Sequence, residues 1–386
     1  MTADTPIIDL PETPVVRDSW MRRRLRAIGS GLDWLFGLVS IITGLAALSV
    51  IPIVNFLTLG YMLHASGRVA ATGKLRAGFI GIRKASRLGS FFLGGWLVFL
   101  PVRILSGLWK DAEIIAPGSS TARGWRATVL ILTALAVLQI ISASVRGGRL
   151  RHFLRPAPIR FYRWLSTPDK FQNIRNAVVD YIAGLRLPYY FWLGARGFLG
   201  ALIWLLVPVG TLIAAAQLAP DKGGAILSFL GGFLLMFVAS ALPFLQANFA
   251  LENNFRALFA FRQVRQMFKR APLAFWLALF ITLLFALPLY LLKIELPPRE
   301  IAWLPSLLFV VFIFPARLLT GWAVNRANRR EQPRHWFFRA MSRLALAPVL
   351  LFYVLVVYLS QYLAWNGSLS LFEQHAFMAP APLISY

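Results

Sequence analysis

The chain contains no cysteine and few acidic residues, 15 against 40 lysines and arginines. The absence of cysteine excludes disulfides, thiol nucleophiles and thiolate metal sites, and it leaves the compartment open. Only 14% of the residues are charged and 58% are hydrophobic, whereas soluble domains have about 25% and about 45–50%. A soluble domain of 386 residues cannot bury that much apolar surface, so the composition indicates a membrane protein.

Motifs of common enzyme and metal sites are also missing. No histidine has a second histidine or an acid at metal-ligand spacing on one helix face. There is no glycine-rich phosphate loop followed by Lys-Ser/Thr, no nucleophile elbow and no pair of carboxylates within an apolar run. We therefore predict no catalytic, cofactor-binding or metal-binding residues, no cofactor, and no enzymatic activity.

The sequence has instead a series of apolar runs of about 20 residues, the length that crosses a hydrocarbon core. They predict an all-α fold, a polytopic integral membrane helical bundle with about seven to eight membrane-embedded segments and additional amphipathic surface helices. The predicted runs are 31–63, 88–108, 125–144, 189–216, 225–245, 273–292, 301–323 and 344–365.

The organisation of the chain suggests two membrane halves. We assign 1–19 to a disordered polar tail, 20–219 to the first half, 220–365 to the second half and 366–386 to a C-terminal tail. Both halves read span, basic loop, span, short turn, span, basic loop, span. Because each unit has an even number of crossings, the halves would form a parallel internal repeat, a type that occurs in transporters.

The formal net charge of +25 could indicate nucleic-acid binding, but its distribution favours membrane topology and lipid headgroups. Strongly basic loops alternate with balanced or uncharged ones throughout the chain, and lysine and arginine accumulate in cytoplasmic loops. We predict a multi-pass protein of the bacterial cytoplasmic (inner) membrane with its C-terminus outside and no nucleic-acid partner. The basic loops are 65–87, 145–186, 246–272 and 324–343.

Two basic stretches have apolar residues at helical spacing. In one, Thr167-Pro168-Asp169 predicts a helix start, and the arginines Arg160, Arg163 and Arg175 are candidates for contact with lipid. In the other, Ala257 to Phe268 predicts a second amphipathic helix within 246–270. Such helices lie on the membrane surface or pack on the protein's own loops, and the pattern fits both.

Polar residues within or beside the apolar runs are the candidate site residues. Asn248, Glu252, Asn253 and Asn254 place a carboxylate among amides; they form either a site or a capped, solvated helix start. Arg103 and Arg317 each follow a proline by two positions, where a missing helix bond frees a carbonyl. Their position near predicted span ends favours side chains that extend to the headgroups.

The run 31–63 is too long for one simple span, and Pro52, Asn55 and Gly60 interrupt it. The repeat makes 31–51 a single crossing. The charges instead place both Arg22–Arg26 and loop 65–87 on the cytoplasmic side, which requires a re-entrant turn at Pro52–Asn55 with two short helical legs. We favour the turn, and with it a cytoplasmic N-terminus.

The same stretch, Pro52-Ile-Val-Asn-Phe-Leu-x-x-Gly60-Tyr-Met-Leu followed by Gly67-Arg-Val-Ala, resembles a motif of uncharacterised bacterial integral membrane proteins with a domain of unknown function. The resemblance covers about the first third of the chain. It implies a membrane location and brings no activity or binding residues.

Two functions remain open from the sequence. Arginine-rich cytoplasmic faces and little charge within the spans favour a non-enzymatic protein that binds anionic lipid headgroups or other membrane proteins. The alternative is a transporter or permease with a path between the two repeats. An intramembrane enzyme would need a catalytic group that the sequence does not show.

Overall fold

The computed structural model describes residues 20–166, 170–218, 223–291, 303–364, 367–373 and 375–378. In this part of the chain all regular structure is helical, which confirms the all-α polytopic fold. The helices are α1 Trp20–Val50, α2 Asn55–Thr72, α3 Ile82–Ile115, α4 Ser120–Val145, α5 Leu150–Leu154, α6 Pro158–Leu165, α7 Lys170–Ala183, α8 Leu187–Ala216, α9 Gly224–Glu252, α10 Phe261–Arg270, α11 Pro272–Leu291, α12 Leu304–Asn328 and α13 Trp336–Leu363.

Eight stretches among the described residues are long and apolar enough to cross a membrane, judged by length and composition. They lie in α1, α3, α4, α7–α8, α9, α11, α12 and α13. The helix α2 is not among them, although it is the most enclosed helix of the bundle. The predicted tail 1–19 lies outside the described residues.

The centre of the bundle is α2, which packs against α8, α9 and α12. Leu59, Met62 and Leu63 have no exposed surface. Lipid is as apolar as a protein core, so helices in a membrane associate through close packing, and small residues permit the closest approach. Two of the interruptions, Asn55 and Gly60, are therefore buried positions of α2, whereas Pro52 is exposed in the turn before it.

Two glycines allow α2 and α8 to approach backbone to backbone. A Cβ at Gly60 would collide with the carbonyl oxygen of Tyr190, and a Cβ at Gly194 would collide with that of Phe56. Gly67 lies in the same way against the backbone of Ala250 in α9. Both motif glycines, Gly60 and Gly67, therefore stand where close helix packing leaves no room for a side chain.

The chain reverses direction between α1 and α2, at residues 51–54. Thr58 Oγ1 donates to the Leu45 carbonyl across the hairpin at 2.9 Å, and Ile53 has a positive φ of 68°, which is unusual for a β-branched residue. The turn thus lies at the predicted position, Pro52–Asn55. The expected short first leg is wrong, because α1 is one continuous helix that includes the basic segment beginning at Trp20.

The second predicted amphipathic helix, within 246–270, is wrong as one element. The helix α9 continues to Glu252, a 3₁₀ turn covers Phe255–Phe259, and α10 begins at Phe261. Asn253 lies in the left-handed region with φ 53° and ends α9, so the residues before it belong to a packed span.

The ends of α2 and α9 share a local structure. Gly73 and Asn253 both end their helix in the left-handed region, an extended residue follows each, and 3₁₀ turns follow at Leu75–Gly78 and Phe255–Phe259. Each 3₁₀ turn carries an Arg-Ala pair. This likeness is local, and the repeat of whole halves stays a prediction.

We expect Gly60→Ala to lower the free energy of unfolding by about 1–3 kcal/mol, the usual cost of overpacking, because the new methyl group meets the Tyr190 backbone. Gly44→Ala is the matched control, since a Cβ at Gly44 meets no atom within 4 Å. Thermal denaturation of the detergent-solubilised protein, followed by size-exclusion chromatography, measures both. Equal melting temperatures for the two variants would contradict the close approach of α2 and α8.

Candidate functional site

The four basic segments meet at one end of the bundle. Segment 65–87 contacts both 145–186 and 324–343, and the latter also contacts 246–272. Hydrogen bonds that join them include Lys84 Nζ to the Gly184 carbonyl at 2.9 Å, Arg329 Nη2 to the Thr72 carbonyl at 3.0 Å, and Arg334 N to the Lys269 carbonyl at 2.9 Å. We call this end of the bundle the basic face.

The basic face contains a crevice of about 200 Å³ between the start of α11, the end of α12 and the start of α13. Three arginines line it, Arg326, Arg330 and Arg334, together with apolar side chains that include Leu273 and Trp322. We call it the arginine crevice. It combines positive charge with a hydrophobic wall.

The arginines of the crevice are held in place by backbone and aromatic contacts. Arg330 Nη1 donates to the Arg270 carbonyl at 3.4 Å, Arg326 lies 5.6 Å from the centre of the Trp322 ring, and Arg334 lies 5.4 Å from that of Phe338. None of the three forms an ion pair with a carboxylate in the described part of the chain.

The charges of the crevice oppose one another. Desolvation, followed by the charges of Arg334 and Arg326, lowers the pKa of Arg330 below its ordinary value. A bound anion would relieve this repulsion. The crevice is therefore chemically suited to a phosphate or carboxylate whose apolar part lies against the hydrophobic wall.

A second polar group lies inside the bundle. Arg317 lies near the middle of α12 and is only 3% exposed. Its Nη1 donates to Gln246 Oε1 at 2.6 Å, and its Nη2 donates to the Ala376 carbonyl at 2.9 Å. Extension to the headgroups, which its sequence position favoured, is therefore wrong for Arg317, because the side chain is enclosed by other helices.

The C-terminal segment enters this interior. Residues 367–373 and 375–378, which we call the C-terminal plug, follow α13 and pack against α8 and α13. His375 and Phe377 are fully buried. Tyr290 and Tyr353 lie 3.0 and 3.2 Å from His375 Nδ1 through their hydroxyl oxygens. The predicted C-terminal tail 366–386 thus contains a segment that packs into the bundle.

The predicted polar group Asn248, Glu252, Asn253 and Asn254 does not converge on one site. Asn248 Nδ2 donates to Gln263 Oε1 at 3.2 Å, and Gln263 Nε2 donates to Glu252 Oε1 at 2.9 Å. Asn253 Oδ1 accepts from Arg196 Nη2 at 2.9 Å, and Asn254 Oδ1 accepts from the Arg256 backbone. These side chains lie at the end of α9 and in the turn before α10, where Asn254 caps the 3₁₀ turn Phe255–Phe259. The alternative of a start to one amphipathic α-helix is therefore wrong, and the site stays a prediction.

The remaining candidate residues lie apart from both polar groups. Arg103 is exposed on α3, Arg163 on α6 and Arg175 on α7, and the side chain of Arg160 lies outside the described part. The predicted start Thr167-Pro168-Asp169 is outside it as well. Residues 171–180 of α7 are exposed, whereas Tyr181 at its end donates to the Lys84 carbonyl of loop 65–87 at 3.0 Å. Both interpretations of this helix therefore stay open.

Sequence reasoning missed most of what the structure brings together. Arg326, Arg330 and Arg334 have the i, i+4, i+8 spacing of one helix face, but only Arg326 lies in α12, and the other two lie in the loop before α13. The spacing therefore does not predict the crevice. No pattern connects Arg317 with Gln246, because the two residues lie on helices far apart in the chain.

Comparison with protein-family models, with curated proteins and with solved structures gives no match. The resemblance of the α1–α2 motif to an uncharacterised membrane family therefore stays a prediction.

We expect Gln246→Leu to lower the free energy of unfolding by about 2–3 kcal/mol, because it leaves a buried guanidinium without its side-chain acceptor. The change also removes the Nε2 donor to the Gly197 and Phe377 carbonyls. Gln266→Leu on α10 is the control, since Gln266 is exposed. Thermal denaturation compares the two, and equal stability would contradict the pairing of Arg317 with Gln246.

Proposed function

We propose that this protein is a non-enzymatic component of the bacterial cytoplasmic membrane that binds anionic lipid headgroups through its basic face. The arginine crevice carries the proposal: three arginines without an acidic partner in the described chain surround a cavity with an apolar wall. In this proposal the basic face and the N-terminus are cytoplasmic, and the C-terminus is outside.

The position of the crevice suits a lipid better than a soluble anion. The crevice lies where three candidate spans begin or end, and in this proposal that is the level where headgroups meet acyl chains. Guanidinium groups bind phosphate oxygens in a bidentate manner, and aromatic rings such as those of Trp322 and Phe338 favour the membrane interface. One lipid would thus bind the arginines through its phosphate and the apolar wall through its acyl chains.

Other parts of the basic face would extend the contact. The exposed helix α7 carries Arg175, and its exposed apolar residues include Phe171 and Val178. A helix of this composition lies in the interface and is attracted to anionic lipids. Arg160 and Arg163 in α6 would act with it.

The test compares two triple variants with equal loss of charge. Arg326→Gln/Arg330→Gln/Arg334→Gln removes the crevice arginines, whereas Arg256→Gln/Arg262→Gln/Arg265→Gln removes three arginines from the neighbouring segment. At about 1 kcal/mol for each arginine, we expect roughly hundredfold weaker binding for the crevice variant. The measurement is the rise in melting temperature on titration with phosphatidylglycerol in mixed micelles, with phosphatidylcholine as reference.

Each outcome of this titration decides the proposal. Loss of the anionic-lipid effect in the crevice variant alone supports specific binding there. An equal loss in both variants would indicate diffuse attraction and contradict the crevice. An unchanged effect in both, and also in Arg160→Gln/Arg163→Gln/Arg175→Gln, would contradict lipid binding by the basic face and leave partner proteins as the alternative.

One observation favours transport as a second candidate function. Arg317 and Gln246 form a polar centre within the candidate spans, where ionisable groups are costly and commonly mark solute or ion paths. A path between the two halves would pass this centre.

A further inference from the structure

We propose that the polar centre of the bundle is an oxyanion-binding site and that the C-terminal plug occupies it in place of the anion. The ligand class is a small solute with a carboxylate or phosphate group. This site is separate from the arginine crevice and does not depend on lipid binding at the basic face.

The charge of Arg317 is not balanced by an acid in the described part of the chain. A guanidinium group has five N–H donors, and the Nε of Arg317 has no hydrogen-bond partner among the described residues. The described part of the chain places no carboxylate in contact with it. A buried cation without a counter-charge is unfavourable by several kcal/mol, so the centre favours the entry of an anion.

The C-terminal plug presents two backbone carbonyls to this centre. The Ala376 carbonyl accepts from Arg317 Nη2 at 2.9 Å, and the next carbonyl, that of Phe377, accepts from Gln246 Nε2 at 2.7 Å. Two neighbouring oxygens therefore face a guanidinium and an amide. A carboxylate or phosphate presents two oxygens in a similar way and adds negative charge, which makes the hydrogen bonds stronger.

The C-terminal plug is held by backbone carbonyls and by one side chain. Its polar bonds to the centre come from backbone carbonyls, and its main side-chain anchor is His375, which contacts Tyr290 of α11 and Tyr353 of α13. The plug is a 3₁₀ turn with a short following stretch, so its displacement breaks no membrane-spanning helix. An anion that binds Arg317 would compete with the plug.

The chain has no cysteine, so a single introduced thiol reports on the plug. Ala376→Cys places the reporter at a buried position, 1% exposed, and Leu369→Cys at an exposed position of the same segment, 66% exposed. With a membrane-impermeant maleimide we expect the A376C thiol to react at least about tenfold more slowly than the L369C thiol. His375→Ala in the A376C background should accelerate labelling, because it removes the anchor.

The decisive measurement adds sodium succinate or inorganic phosphate, with sodium chloride of equal ionic strength as reference. We expect either oxyanion to accelerate A376C labelling by about threefold or more through displacement of the plug, and to leave L369C labelling unchanged. Arg317→Gln should abolish this response. Arg317→Lys, which keeps the charge and loses the planar fork, should weaken it and serves if the Gln variant does not fold.

Two results would overturn the proposal. If oxyanions leave A376C labelling unchanged, both in the otherwise unaltered protein and in the His375→Ala background, no anion competes with the plug. An acceleration of the same size with chloride, or one that persists in both Arg317 variants, would show that the response does not come from this site. A response to only one oxyanion identifies the class of solute and supports the site.

Discussion

The structure depends on the close packing of α2 against its neighbours. Gly60 and Gly194 let the backbones of α2 and α8 touch, and Gly67 and Gly321 do the same for α2 with α9 and α12. Because apolar side chains gain little by leaving lipid for a protein interior, such close contacts supply much of the attraction between helices in a membrane. These contacts also position α9, which carries Gln246, and α12, which carries Arg317 and Arg326.

The arginine crevice and the polar centre of Arg317 and Gln246 lie at two depths of the same bundle. The arginine crevice forms where α11, α12 and α13 reach the basic face, so its charge lies at the edge of the candidate spans. Arg317 and Gln246 lie within spans, where a charge has no access to water and needs partners from the protein. The same helix, α12, carries Arg317 and Arg326 and thus connects the centre with the crevice.

Several features followed directly from the residues. Runs of about 20 apolar residues have the length of a membrane-crossing helix. Pro52 with Asn55 marked the turn between α1 and α2. The sequence leaves the polar group at Asn248–Asn254 open between a site and a solvated helix start, because amides after an apolar run fit both. In the structure Gln246 and Asn248 are buried by neighbouring helices, which local sequence cannot reveal.

The sequence by itself determined the membrane class, the helical content and the separation of basic from neutral loops, because these follow from composition and short-range periodicity. Only the tertiary structure decided that α2 is the core, that three arginines surround one crevice, and that the C-terminal plug reaches Arg317. The reason is physical: the contacts join residues distant in the chain, and helix packing and burial select them.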